Sequence, residues 1–172
     1  MKRASLAVFI AVLGIAGLAG LSRAAFADKP TARKAPDFAY TDLKGQKYSL
    51  NSLRGKVILV DLWATWCPPC RKDIPQYVKF QKKYPDKMII IGVSYDDSQD
   101  DLKEFIKENE VGRQINYPIV FGPPEPPFFG DPSTLPQAFI IDKKGNIRME
   151  HLGFFPPEEL EPMLEKLLAE PE

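Results

Sequence analysis

Val57-Ile58-Leu59-Val60-Asp61-Leu62-Trp63-Ala64-Thr65-Trp66-Cys67-Pro68-Pro69-Cys70 changes character part-way along its length. From Val57 to Trp63 it is nearly all apolar and rich in β-branched residues, the pattern of a strand buried on both faces of a sheet. Asp61 alone breaks the run. Pro68 and Pro69 suit the first turn of a helix, where a missing N–H is no loss. The stretch from Cys67 to Tyr84 reads as that helix, with Ile74, Tyr77, Val78 and Tyr84 on one face. Pro75 lies deeper and is expected to kink it. A buried strand thus runs into a helix that opens on a Cys-Pro-Pro-Cys pair.

The flanking sequence repeats this alternation. Lys87 to Ser94 carries Met88-Ile89-Ile90-Ile91-Gly92-Val93 and reads as a second buried strand. Ser98 to Glu110 is a helix with Leu102, Phe105 and Ile106 inward and Ser98 as its cap. Pro118 to Phe121 is a short strand. Ala138 to Asp142 is another, and the Lys144-Gly145-Asn146 turn leads into a strand from Ile147 to Glu150. A last helix spans about Pro157 to Ala169, with Leu160, Met163, Leu164, Leu167 and Leu168 on its core face. Pro162 lies inside that span, so the helix is expected to start later or to kink there. Before the central strand, residues 38–50 form a hairpin around Lys44-Gly45. The order of elements implies an α/β domain: a central mixed β-sheet with helices on both faces and a small N-terminal β-hairpin extension. There is no internal repeat. Gly122 to Pro132 holds five prolines and no period, the composition of a stiff exposed loop.

The first 27 residues stand apart. Lys2 and Arg3 precede an apolar run from Leu6 to Leu21, and Ala25-Phe26-Ala27 has the small-x-small form of a cleavage site. Residues 1–27 are a signal peptide or, if uncleaved, an N-terminal membrane anchor; the run is shorter than the roughly 20 residues of a spanning helix. In either case residues 28 onward are exported. Asp28 to Ala35 is polar and aperiodic and reads as a tether, which leaves residues 36–170 as one domain. The chain has 23 basic and 23 acidic residues, and three of the basic ones lie in the leader, so residues 28–172 are mildly acidic. With no basic block, nucleic acid is excluded as a partner class.

Export permits disulfides, but two cysteines this close in sequence close too short a loop to staple the fold. Zinc would need two further ligands, and the chain has no third cysteine and a single histidine, His151. Redox chemistry accounts for the pair better. A cysteine at the opening of a helix faces free N–H groups and the positive end of the helix dipole, which favour thiolate. Thiolate is the attacking species in disulfide exchange. Cys70 lies one turn on and on the same side, placed to resolve the mixed disulfide formed on Cys67. Asp61, on a strand buried on both faces, is expected to have a raised pKa. His151, on the last strand, reads as structural or solvated.

Val60 to Cys70 resembles the active site of the thioredoxin superfamily. Phe38 to Lys56, with Asp42-Leu43-Lys44-Gly45 and Leu53-Arg54-Gly55-Lys56, resembles the TlpA/ResA-like group of exported thiol–disulfide oxidoreductases. Leu135-Pro136-Gln137-Ala138-Phe139-Ile140-Ile141-Asp142 resembles the strand that carries the superfamily's cis-proline. The likeness covers about residues 36–169 and implies a thioredoxin-like fold. It implies a substrate platform of Trp66, Pro68, Pro69, Leu135 and a cis Pro136. It also implies a proton-handling role for Asp61, where the TlpA/ResA-like group often has Asn. Asp73 matches an acidic residue near the active site of that group, or is a solvated helix acid. Lys56 matches a lysine near the buried acid of thioredoxins.

The resemblance implies an enzyme with no cofactor beyond its own thiols. It would reduce disulfides of extracytoplasmic proteins such as apocytochrome c, and a membrane electron donor would re-reduce it. The bacterial periplasm or the outer face of the cytoplasmic membrane is its expected location. Two alternatives share the fold. A thiol peroxidase would resemble peroxiredoxins, which carry Thr three residues before the reactive cysteine, where this chain has Ala64. A copper-binding chaperone would use both cysteines and a distant histidine.

Overall fold

The computed structural model describes residues 33–122 and 134–171. The leader, the first part of the expected tether and the proline-rich loop lie outside the described residues. Eight strands and three α-helices follow one another: β1 (Arg33–Lys34), β2 (Ala39–Thr41), β3 (Lys47–Ser49), β4 (Val57–Trp63), α1 (Pro68–Lys83), β5 (Met88–Ser94), α2 (Gln99–Glu108), β6 (Ile119–Phe121), β7 (Gln137–Ile141), β8 (Asn146–Leu152) and α3 (Pro157–Ala169). Six strands form a mixed sheet in the order β1-β8-β7-β4-β5-β6, and β2 pairs with β3 in a separate hairpin. β4 runs parallel to β5, β5 parallel to β6, and β7 antiparallel to both β4 and β8.

All seven residues of β4 are buried, as a strand with neighbours on both edges and layers on both faces requires. Alternate residues feed two cores. Leu59 and Trp63 join the cluster built with Ile74, Tyr77 and Phe80 of α1, Leu102 of α2, and Leu160, Leu164 and Leu167 of α3. Ile58, Val60 and Leu62 face Phe38, Tyr40, Leu50 and Leu53 of the N-terminal segment. The expected helices on both faces are therefore unequal. Three α-helices cover one face, and among the described residues the other has only the one-turn 3-10 helix at Asn51–Leu53 beside the hairpin. The parallel crossovers β4-α1-β5 and β5-α2-β6 step in the same direction across the sheet, which with right-handed connections puts both helices on one side.

Two expectations are corrected. The stretch 28–35, read as a tether, already belongs to the domain at its end. Arg33 and Lys34 pair with Ile147 and Asn146 on the outer edge of β8, Arg33 ion-pairs with Glu150, and Ala35 is buried. The open edge of β8 offers unpaired N–H and C=O groups, and this short strand satisfies them. α3 does not start later, as one of the two expectations at Pro162 had it: it begins at Pro157 and runs on through Pro162, as α1 runs on through Pro75. Both rings sit on exposed faces.

The hairpin loops at both ends of the domain use one device. Asp42 accepts hydrogen bonds from the N–H groups of Lys44 and Gln46, and Asp142 from those of Lys144 and Asn146. In each, a glycine with positive φ, Gly45 or Gly145, completes the turn. At Gly92, directly opposite Asp61 on β5, a Cβ would lie 2.7 Å from Ile119 Cδ1 and 3.0 Å from Trp63 Nε1. A side chain there would force Ile119 to shift.

Candidate active site

The carboxyl end of β4 delivers Ala64-Thr65-Trp66 into α1. Cys67 is the N-cap of α1, with Pro68 and Pro69 in its first turn, and that turn contains no acid. Cys67 and Cys70 form a disulfide, and Cys67 Sγ accepts a hydrogen bond from the Cys70 N–H at 3.3 Å. Pro68 and Pro69 carry no N–H, so the Cys70 amide is the first-turn donor to the sulfur, which lies at the positive dipole end of a sixteen-residue helix. Cys67 keeps 4 % of its surface open and Cys70 none. The first is the sulfur an external partner can reach.

The Leu135–Pro136 peptide bond is cis. Gln137 begins β7 opposite Leu62, so Pro136 stands at the end of β4 from which Cys67 follows. The Pro136 carbonyl accepts the N–H of Gly153 at 2.8 Å. The Leu135 N–H and C=O have no partner among the described residues. Trp66 is 60 % exposed, Pro68 is exposed and Pro69 partly so, while Trp63 is buried in the core.

Beneath the disulfide, Asp61 and Asp73 are both buried. Burial, and then the field of Asp73, holds the Asp61 carboxyl well above the usual range. Burial pushes Asp73 up to about 7, against the lowering effects of the Phe155 amide, the Gln76 amide and His151. Asp73 Oδ1 accepts from Gln76 Nε2 at 2.7 Å and from the Phe155 N–H at 3.2 Å. Its Oδ2 and Asp61 Oδ1 are buried without a partner. Tyr77 and Tyr117 complete the surround; burial, then the two acids, keeps their phenols protonated. Lys56 makes no ion pair with Asp61. Of the alternatives for Asp73, the solvated helix acid is ruled out: the side chain has no exposed surface and belongs to the cluster under Cys70.

Residues 31–150 match the AhpC/TSA family. Thiol-disulfide oxidoreductase ResA of Bacillus anthracis is 34% identical over 164 residues, covering 92% of this chain and 93% of that protein. The chain belongs to this family, as a thioredoxin-like thiol–disulfide oxidoreductase. The thioredoxin-like protein YneN of Bacillus subtilis is 32% identical over 133 residues, 77% of this chain and 78% of YneN. The crystal structure of a thiol:disulfide interchange protein of the thioredoxin family from Chlorobium tepidum superposes with a TM-score of 0.67 at 26% identity, over 82% of this chain and 99% of that one.

The oxidoreductase holds its cysteine loop with a residue that sequence reasoning missed. Asp96, just past β5, accepts from the Thr65 N–H at 3.0 Å, from Thr65 Oγ1 at 2.6 Å and from Ser94 Oγ at 2.7 Å. Asp96→Ala is expected to strand the buried Ser94 hydroxyl and to free the loop before Cys67. A stability loss of about 2–4 kcal/mol should follow, read as a lower urea midpoint. Leu152 and Phe154 were missed too. With Trp66 they are the exposed large apolar side chains among the described residues. Leu152 lies opposite Gln137, beside Pro136.

Proposed function

We propose that this oxidoreductase is exported and reduces disulfides in extracytoplasmic proteins, with apocytochrome c cysteines as the substrate class. The observation that carries this reading is a Cys67 at a helix N-terminus that keeps a small open surface where Cys70 keeps none, with two buried acids of raised pKa behind the pair. The leader at residues 1–27 supports export to the bacterial periplasm or the outer face of the membrane, and the resemblance to the TlpA/ResA-like group supports the substrate.

In its dithiol form, the Cys67 thiolate attacks one sulfur of the substrate disulfide and displaces the other as a thiolate, which solvent protonates. Cys70 then gives its proton to the Asp61/Asp73 pair and attacks Cys67 Sγ. The mixed disulfide breaks, the second substrate sulfur leaves, and the enzyme is left as the Cys67–Cys70 disulfide. Two electrons have passed to the substrate. A membrane-bound dithiol donor would restore the enzyme by the reverse exchange. The unpaired Leu135 backbone suits an extended substrate segment lying alongside Pro136. Trp66, Pro68 and Pro69 flank the attacked bond, and Leu152 lies beside Pro136. Among the described residues no group of three His, Cys, Asp or Glu side chains could hold a metal, and His151 Nε2 contacts the Phe154 carbonyl at 3.0 Å.

Cys70→Ser is expected to arrest the reaction at the mixed disulfide and hold an extracytoplasmic protein on Cys67, recoverable by non-reducing electrophoresis and mass spectrometry. Absence of any adduct, or a reduction potential in the range of strong oxidants, would overturn the reductant reading.

A further inference from the structure

Of the two expectations for His151, structural or solvated, burial favours the first, and the residue lies in a row that crosses the sheet in register. Asp61 pairs with Ala138 and Ala138 with His151, on β4, β7 and β8. Residues paired in this way share a face, and strands lie about 4.8 Å apart. Asp61 and His151 therefore point to the same side, two strand spacings apart, with only the methyl group of Ala138 between them. That side is the one α1 covers, and Asp73 comes down onto it from α1.

Contacts link His151 to Asp73. The imidazole stacks on the Phe155 ring, centroids 4.0 Å apart and planes 5° from parallel, and its Nε2 lies 3.0 Å from the Phe154 carbonyl. The next amide, Phe155 N–H, donates to Asp73 Oδ1, and Gln76 Nε2 bridges Asp73 Oδ1 and the Phe155 carbonyl, both at 2.7 Å. One corner of chain is thus gripped by the histidine and in turn grips the acid. The titratable groups around it are Asp73, Tyr77 and the two cysteines from α1, Asp61 from β4, and Tyr117 before β6. The acids at the start of α3, Glu158 and Glu159, are exposed. Burial raises the Asp73 carboxyl, and the His151 field acts against that rise, along with the Phe155 and Gln76 hydrogen bonds.

We propose that His151 is a positioning residue for the thiol exchange: it sets the protonation state of Asp73, and through Asp73 that of Asp61, and so the pH at which the buried pair can take the proton of Cys70. The inference rests on the proton-accepting role given above to the two acids. Exchange of a proton between Cys70 and the pair leaves the electron balance of the reaction unchanged.

In the full chain, His151→Phe keeps an aromatic ring for the stack and removes the charge. It should move the acid-side inflection of the rate at which the dithiol protein reduces insulin disulfides upward by about one pH unit, and His151→Gln should do the same. Coupling between two groups is reciprocal, so with Asp73→Asn in place His151→Phe should leave the inflection where it was. An unmoved pH–rate inflection in a folded His151→Phe protein overturns the proposal, and so does a shift of equal size in the Asp73→Asn background. If the Cys70→Ser adduct forms while His151→Phe leaves the inflection unmoved, the proposal about His151 fails and the proposed function stands. If the inflection moves and no adduct forms, the proposed function fails.

Discussion

Cys67→Ala is expected to lower the rate at which the protein reduces insulin disulfides by about a thousandfold or more, to the rate of the dithiothreitol in the assay. Cys67 supplies the reachable sulfur, at the N-cap of α1 with no acid in the first turn. Cys70 has no open surface and cannot take over the first attack. Cys70→Ala should behave differently. It keeps the attacking thiolate, forms the mixed disulfide once and turns over only as fast as an outside thiol resolves it. Insulin turbidity gives the steady-state rate, and thiol trapping at short times gives the single-turnover burst. A Cys67→Ala protein that keeps its activity while Cys70→Ala loses the burst would exchange the two roles.

Asp61→Asn is expected to stabilise the oxidised protein by about 2–4 kcal/mol at pH 8 and by almost nothing at pH 4. Both buried carboxyls have folded-state pKa values above their unfolded ones, Asp73 near 7. Below the unfolded value, near 4, both states hold the proton and stability is unaffected. As pH rises from there through 7, the unfolded chain releases its protons freely. The folded chain must keep them or ionise a group shut away from water, so it loses stability. Asparagine removes that burden at position 61 and also the repulsion felt by Asp73. The same substitution removes a proton acceptor for Cys70, so release of the substrate's second sulfur should slow by tenfold or more near neutral pH. Urea unfolding across pH 4–9 and stopped-flow quench of the mixed disulfide read the two effects. A stability change that does not vary with pH would show that Asp61 is not the buried acid described here.

The strand at Val57–Trp63, the helix opening on Cys67 and the burial of Asp61 were all legible in the sequence, because each rests on short-range chemistry. A run of β-branched residues without polar alternation has to be buried on both faces. Two adjacent prolines suit the first turn of a helix, where the missing N–H is no loss, and a lone acid in such a run goes inside with it. Lys44-Gly45 and Lys144-Gly145 marked their hairpins for the same reason.

What the chain could not disclose by itself lies in contacts between distant residues. Asp73 is the sixth helical residue of α1, and its spacing fits a wet face as well as a dry one. The packing of α1 onto the sheet and the Phe155 corner, 82 residues away, decided for the dry one. Asp96 meets Thr65 only because β5 lies parallel to β4 and ends beside it. Arg33 and Lys34 look like linker until β8 offers an open edge. His151 has no local signature either: its relation to Asp61 exists only through the register of three strands. Spacing along the chain specified the reacting sulfurs, and the tertiary structure assembled the proton-holding groups beneath them, because register and helix packing are set by pairing across the whole sheet.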